Sequence, residues 1–134
     1  MDIKKYKNLR KPGVVTTNFG DRTKDERFHP GVDIANRTGT PIQSLADGQV
    51  TEIGPKNNGL GNMITLRDDK GEIHQYSHLN NFKVRPGQRV KRGQNIATMG
   101  SSGNSYSPSG GDPSHLDIRI VDAYGRWKDP LYYF

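Results

Sequence analysis

Apolar residues in this chain fall in short runs separated by glycine, proline and polar turns. Val14-Val15, Val32-Asp33-Ile34, Met63-Ile64-Thr65-Leu66, Asn95-Ile96-Ala97 and the stretch 116–121 are the clearest. Runs of this length, bounded by turn residues, predict strands. The spacing predicts strands over 42–45, 50–53, 62–67, 72–78 and 116–121. Ala46-Asp47-Gly48-Gln49 reads as a hairpin-like turn, Asn57-Asn58-Gly59-Leu60-Gly61 as a glycine turn, and Asp68-Asp69-Lys70-Gly71 as a hairpin turn. Two near-repeats, Val84-Arg85-Pro86-Gly87-Gln88 and Val90-Lys91-Arg92-Gly93-Gln94, read as bends at the corner of a compact sheet. The predicted fold is all-β: a small antiparallel sheet packed against shorter strands, barrel- or sandwich-like, with an open groove on one face.

At 134 residues the chain has room for one domain. Residues 1–13 form a basic lead-in closed by Lys11-Pro12-Gly13, and 14–134 form the domain. Residues 100–114 make a Gly/Ser-rich loop long enough to suggest a functional wall, although its composition alone favours a plain surface loop. The aromatic tail, Trp127 with Leu131 to Phe134, is expected to cap one end of the core rather than stack on a sugar or peptide. Mean hydropathy is −0.88, so the core is small.

The formal charge is +6, from 20 Lys and Arg against 14 Asp and Glu. Such a surface favours polyanions, including anionic wall polymers, but charge alone does not choose among them. Neither a basic helix nor the aromatic-and-basic sheet of nucleic-acid binders is present, and no run approaches a membrane span. No secretory signal is visible at the N-terminus. Export by another route, carriage on a phage particle, or excision from a longer protein are the expected contexts. There are no cysteines, so any metal must be held by histidine and carboxylate.

Of the four histidines, three stand in suggestive settings. His29-Pro30-Gly31-Val32-Asp33 sets a carboxylate four residues after an imidazole, with a Pro-Gly bend between them. Zinc takes imidazole nitrogen at about 2.0–2.1 Å and carboxylate oxygen at about 2.0–2.2 Å, so both side chains suit one ion. On a strand, His115 and Asp117 face the same way while Leu116 and Ile118 face the core. His78, at the end of the strand over 72–78, supplies a third wall to that groove. His74 alternates onto the same face as His78, but an exposed strand histidine is the more economical reading.

These residues lie in motifs that together resemble the lysostaphin-like peptidoglycan endopeptidases, a zinc family that includes phage lytic enzymes. The resemblance runs from about Thr16 to Leu131. It includes Phe19-Gly20-Asp21-Arg22, His29-Pro30-Gly31-Val32-Asp33-Ile34-Ala35, Thr40-Pro41-Ile42, Ala46-Asp47-Gly48-Gln49-Val50 and Gly61-Asn62. It continues through Tyr76-Ser77-His78-Leu79, Val90 to Ala97, Gly100 to Ser105, and Ser114-His115-Leu116-Asp117. It implies a Zn²⁺ endopeptidase acting on cross-link or stem peptides of bacterial peptidoglycan, as a monomer or as a domain of a larger protein. His29, Asp33 and Asp117 take the metal positions, and His78 and His115 take those of the catalytic pair.

One departure matters. The family carries His-Leu-His where this chain has His115-Leu116-Asp117. Aspartate is a legitimate zinc ligand, but it is shorter than histidine and adds a negative charge. Three outcomes stay open: Asp117 ligates, His115 ligates with Asp117 orienting it, or the site is lost and the domain only binds or regulates. With Asp117 ligating, a less positive centre and a weaker Lewis acid are expected. A lipoyl- or biotinyl-carrier domain modified at Lys70 is the competing reading of the hairpins, but it leaves the His/Asp set unexplained.

Overall fold

The computed structural model describes residues 9–24, 26–56, 59–103 and 111–134. Among the described residues, eleven strands run in chain order: β1 (Val14–Thr17), β2 (Gly31–Ala35), β3 (Pro41–Gln43), β4 (Gly48–Lys56), β5 (Gly61–Asp68), β6 (Ile73–Ser77), β7 (Leu79–Phe82), β8 (Arg89–Val90), β9 (Asn95–Met99), β10 (His115–Val121) and β11 (Trp127–Lys128). One 3-10 turn, Pro130–Tyr133, follows. Eight strands form a sheet in the order β1-β2-β10-β6-β5-β4-β8, with β11 on the end of β10. The other three form a small sheet, β3-β9-β7. All pairings are antiparallel, as predicted.

Alternation along the central strands sorts the side chains onto two faces. Across the sheet, Ile64 pairs with Tyr76, Tyr76 with Ile118, and Ile118 with Val32. All four are fully buried and meet Ile42, Leu79, Ile96 and Met99 of the small sheet in one core. Tyr76 also ties the layers together, since its hydroxyl accepts the Leu45 backbone N–H at 2.9 Å.

The segment 46–49 is not a hairpin turn. Gly48 and Gln49 already belong to β4, and β3 belongs to the other sheet, so this stretch is the corner where the chain changes layers. The two near-repeats are matching turns. The Gln88 and Gln94 side chains accept the Arg85 and Lys91 backbone N–H groups, and Gly87 and Gly93 supply the left-handed residues. The expectation for the aromatic tail holds in part: Tyr133 is buried and Leu131 and Phe134 pack on the core, whereas Tyr132 and Trp127 are exposed. Residues 1–8 of the basic lead-in, Asn57-Asn58 of the glycine turn and 104–110 of the Gly/Ser-rich loop lie outside the described residues.

His74 neither lines the groove nor faces solvent. The chain leaves the strand at Ser77, so the alternation that linked His74 to His78 stops before His78. His74 lies in the core with no exposed surface; its Nε2 is 2.8 Å from Asp68 Oδ2 and its ring meets Tyr133 edge-on. Asp68 Oδ1 accepts the backbone N–H groups of Lys70 and Glu72. Glu72 accepts the Tyr133 hydroxyl at 2.5 Å and Lys128 Nζ at 3.0 Å. Asp68, Glu72 and His74 sit close enough to hold an ion, but hydrogen bonds that tie the β5–β6 hairpin to the C-terminal turn already engage them.

Burial favours the neutral form of Asp68, but His74 and the two backbone N–H groups hold its carboxyl below the usual range. A depressed folded value stabilises the fold above the unfolded value, about 3.9, and that stabilisation is lost as pH falls through the lower folded value. Asp68→Ala leaves a buried imidazole without its partner and should cost about 3 kcal/mol at neutral pH. Denaturant melts at pH 7 and in the acid range should show this deficit shrinking below about pH 4.

Candidate metal centre

The outer face of the large sheet carries the candidate chemistry. Thr17 pairs with Asp33, Asp33 with Asp117, and Asp117 with Ser77, so these four side chains form one row across β1, β2, β10 and β6. His29 reaches the middle of this row, beside Asp33 and Asp117, from the segment before β2. Its backbone is clamped to the loop before it: Gly20 N–H donates to the His29 carbonyl and His29 N–H to the Asp21 carbonyl, both at 2.8 Å. That is the local role of Phe19-Gly20-Asp21, and Phe19 packs edge-on against Phe28 beside it.

Three donor atoms converge there. His29 Nε2 lies 3.5 Å from Asp33 Oδ1 and 3.7 Å from Asp117 Oδ2. Donors about 2.1 Å from a tetrahedral ion stand about 3.4 Å apart, so the spacing suits one ion. Asp33 Oδ1 is buried with no hydrogen-bond partner, an expensive state for a carboxylate oxygen unless a cation meets it. The donor set, one imidazole and two carboxylates, is within zinc's range. The residues present therefore fit a zinc ion.

His78 and His115 stand beside this cluster with ring centroids 4.4 Å apart. His78 Nδ1 is 2.7 Å from the Ser102 carbonyl, and His115 Nδ1 is 3.0 Å from the Pro113 carbonyl. A carbonyl only accepts, so each Nδ1 carries a proton and each neutral ring keeps Nε2 as an acceptor. His78 adopts φ +63°, the only positive φ among the described residues other than glycine. Burial is the main reason the His78 imidazole is held below its ordinary pKa, and His115 adds to it, against the Ser102 carbonyl.

The carboxylates are unequal. Burial alone would raise Asp117, yet the facing His29 ring and the hydrogen bonds and charge of Arg119 hold it at about 2. Asp33 is raised, by burial first and then by the charge of Asp117. His29 is raised although its burial works the other way, because Asp117 and Asp33 face it.

An open groove of about 580 Å³ holds all five predicted residues, His29, Asp33, His78, His115 and Asp117. Thr23, Lys24 and Glu26 line one side and Gly59 and Leu60 another. A more apolar cavity of about 350 Å³, between Leu9–Pro12 and the small sheet, is lined by no histidine or carboxylate.

A family model described as peptidase family M23 matches residues 27–130. The chain belongs to this family. It is 37% identical over 121 residues to the murein hydrolase activator NlpD of Salmonella typhimurium, covering 90% of this chain and 29% of that protein. It is 41% identical over 108 residues to lysostaphin of Staphylococcus simulans, covering 78% of this chain and 21% of that protein. It thus spans less than a third of either relative. The structure of the lysostaphin catalytic domain superposes with a TM-score of 0.76 at 29% identity, covering 87% of this chain and 88% of that one. A zinc-containing peptidase from Vibrio cholerae superposes with a TM-score of 0.74 at 28% identity, covering 87% of this chain and 35% of that one.

Three groups that touch the groove residues carry no reading in the sequence analysis of this M23 domain. Arg119 pairs with Asp117, Glu26 pairs with Arg119, and the Ser102 carbonyl orients His78. Arg119 was within reach, since it continues the alternation of His115 and Asp117. Glu26 and the Ser102 carbonyl carry no local signal.

The Ser102 carbonyl is held by a close backbone crossing. A Cβ on Gly61, at φ +66°, would lie 2.4 Å from Ser102 C and 2.5 Å from Gly103 N. Gly61→Ala should therefore force the two loops apart at a cost of about 2 kcal/mol or more, read by thermal denaturation. The His78 Nδ1–H signal in NMR should also lose its hydrogen-bonded shift.

Proposed function

We propose that this M23 domain is a zinc-dependent endopeptidase that hydrolyses peptide bonds in the cross-links or stem peptides of bacterial peptidoglycan. The observation that carries the reading is the convergence of His29 Nε2, Asp33 Oδ1 and Asp117 Oδ2, with the Asp33 oxygen buried and unpartnered. Lysostaphin and the zinc-containing peptidase from Vibrio cholerae support it by likeness.

His29, Asp33 and Asp117 would hold the ion, with Asp117 in the third position and His115 left for chemistry. The ion, when bound, supplies Lewis acidity toward the scissile carbonyl and the attacking water. The open groove admits an extended peptide, and its sheet floor sets the peptide across the donor row. His78 and His115 present Nε2 toward the same groove. One of them takes the proton of the attacking water at Nε2, and that proton goes to the leaving amine. The other, when it carries a proton taken from solvent on Nε2, donates a hydrogen bond to the carbonyl oxygen as its charge grows and keeps that proton. Burial keeps His78 neutral near pH 7, which suits the accepting role. The +6 charge is compatible with anionic wall polymers as further partners.

A second reading is that the domain binds wall or regulates a hydrolase without cutting. Two observations favour it: Asp117 is already paired with a cation, Arg119, and one relative is a murein hydrolase activator.

Calorimetric titration of chelator-stripped protein near neutral pH separates the two. One tightly bound zinc, and release of peptides from purified peptidoglycan, are expected. Asp117→Ala should lose both, and Asp33→Ala likewise. Unchanged hydrolysis in Asp117→Ala would overturn the ligand assignment, and absence of zinc binding would move the domain to the second reading.

A further inference from the structure

We propose that Arg119 is a positioning residue that fits an aspartate to the third ligand position of this centre, an inference that rests on the zinc reading above. Arg119 Nε donates to Asp117 Oδ1 at 3.0 Å and Nη2 to Oδ2 at 2.8 Å. The guanidinium fork thus holds both oxygens and fixes the plane of the carboxylate. Its far side is held by Glu26, with Nη2 3.1 Å from Oε1 and Nη1 3.4 Å from Oε2.

The strand cannot move to make up for the short side chain. Asp117 is locked in register with Asp33 on one side and Ser77 on the other. The carboxylate must therefore be aimed by a neighbour, and the residue two further along the same face does so. Oδ2 takes one hydrogen bond from Arg119 and keeps a lone pair for the side facing His29 Nε2, 3.7 Å away. The sheet has left room for this. Gly31 pairs with Arg119 across the ladder, and a Cβ there would lie 2.6 Å from Arg119 Cγ and 3.0 Å from Asp117 Oδ1.

The charges point the same way. An aspartate in place of a neutral imidazole adds one negative charge, and Arg119 adds one positive charge beside it. The pair as a unit is neutral, as an imidazole would be. Glu26 sits on the more exposed edge, with 34% of its side chain accessible against 5% for Asp117, so solvent screens it more strongly. The weaker Lewis acid expected from the sequence is thereby offset.

The opposite role makes a different prediction. If Arg119 were a fixed cation that keeps metal out, its removal would tighten zinc binding. The test is the zinc dissociation constant of the full chain, measured by competition with a chromophoric chelator. The proteins compared are wild type, Arg119→Gln, Arg119→Lys, Asp117→His and the double variant Asp117→His/Arg119→Gln. The melting temperature of each metal-free protein reports folding.

Arg119→Gln and Arg119→Lys should both weaken zinc ten- to hundredfold, about the range for residues that orient a ligand. Lysine keeps the charge and loses the fork, and it carries the test if the glutamine variant fails to fold. In the Asp117→His background, Arg119→Gln should change affinity by no more than about twofold, because the sites are no longer coupled. Tighter or unchanged zinc in Arg119→Gln overturns the inference. Equal losses in both backgrounds also overturn it, since a merely structural arginine would behave that way. Wild-type protein that binds no zinc overturns the zinc reading itself, and this inference with it.

Discussion

The antiparallel pairing of β2 with β10 is the constraint on which the rest of this molecule depends. Its register sets Asp117 opposite Asp33 and, one residue along, Ile118 opposite Val32. The first pair faces the groove and the second faces the core. Because side chains alternate, a slip of β10 by one residue would send Asp117 into the apolar interior and Ile118 out. Burial of Val32, Ile34, Leu116, Ile118 and Ile120 therefore fixes the register and with it the spacing of the candidate ligands. Fold stability and site geometry are set by one ladder, so core substitutions on β10 would act on the site without touching it.

That ladder also explains what the sequence disclosed. Strands with one apolar face are legible because alternation is local; the five residues His29, Asp33, His78, His115 and Asp117, which the fold brings into one groove, are legible through their motifs taken together. Features that depend on where a strand stops are not. Alternation run past Ser77 linked His74 to His78, whereas the chain turns at His78 with φ +63° and the two part company. The corner at 46–49 looks like a hairpin in sequence because turn residues are alike whether they join paired strands or carry the chain between sheets. Glu26 and the Ser102 carbonyl reach the site only through tertiary contacts, and no spacing rule exposes them.

Backbone, rather than side chain, prepares the two groove histidines. Each has its Nδ1 within reach of a main-chain carbonyl, which selects the tautomer and leaves Nε2 toward the groove. One of those carbonyls, that of Ser102, is delivered by a crossing of two loops so close that Gly61 and Gly103 have no room for a side chain. The glycine-rich stretches therefore do more than turn the chain. They let backbone approach backbone, and the approach sets an imidazole. Such a carbonyl is a steadier partner than a mobile side chain, because the turn must break for it to move.

Charge gives the site its direction. Two carboxylates facing each other across a ladder repel, and burial sharpens the repulsion. Arg119 relieves one of them: Asp117 is pinned by a fork and held at about 2. Asp33 has no such partner at Oδ1, and both Asp33 and His29 are shifted upward, toward holding protons. The arrangement is therefore one positive charge short at the point where three donor atoms meet. Protons fill that deficit only by weakening the donors, since an imidazolium has no nitrogen lone pair to offer and a protonated carboxyl is a poor ligand. A dication held there, as proposed, would fill it through those same lone pairs, and any proton on a donor would have to leave first. Arg119 satisfies Asp117 and leaves Asp33 Oδ1 without a hydrogen bond, facing only the His29 ring at 3.5 Å, and that asymmetry supports the reading of this groove as a cation site.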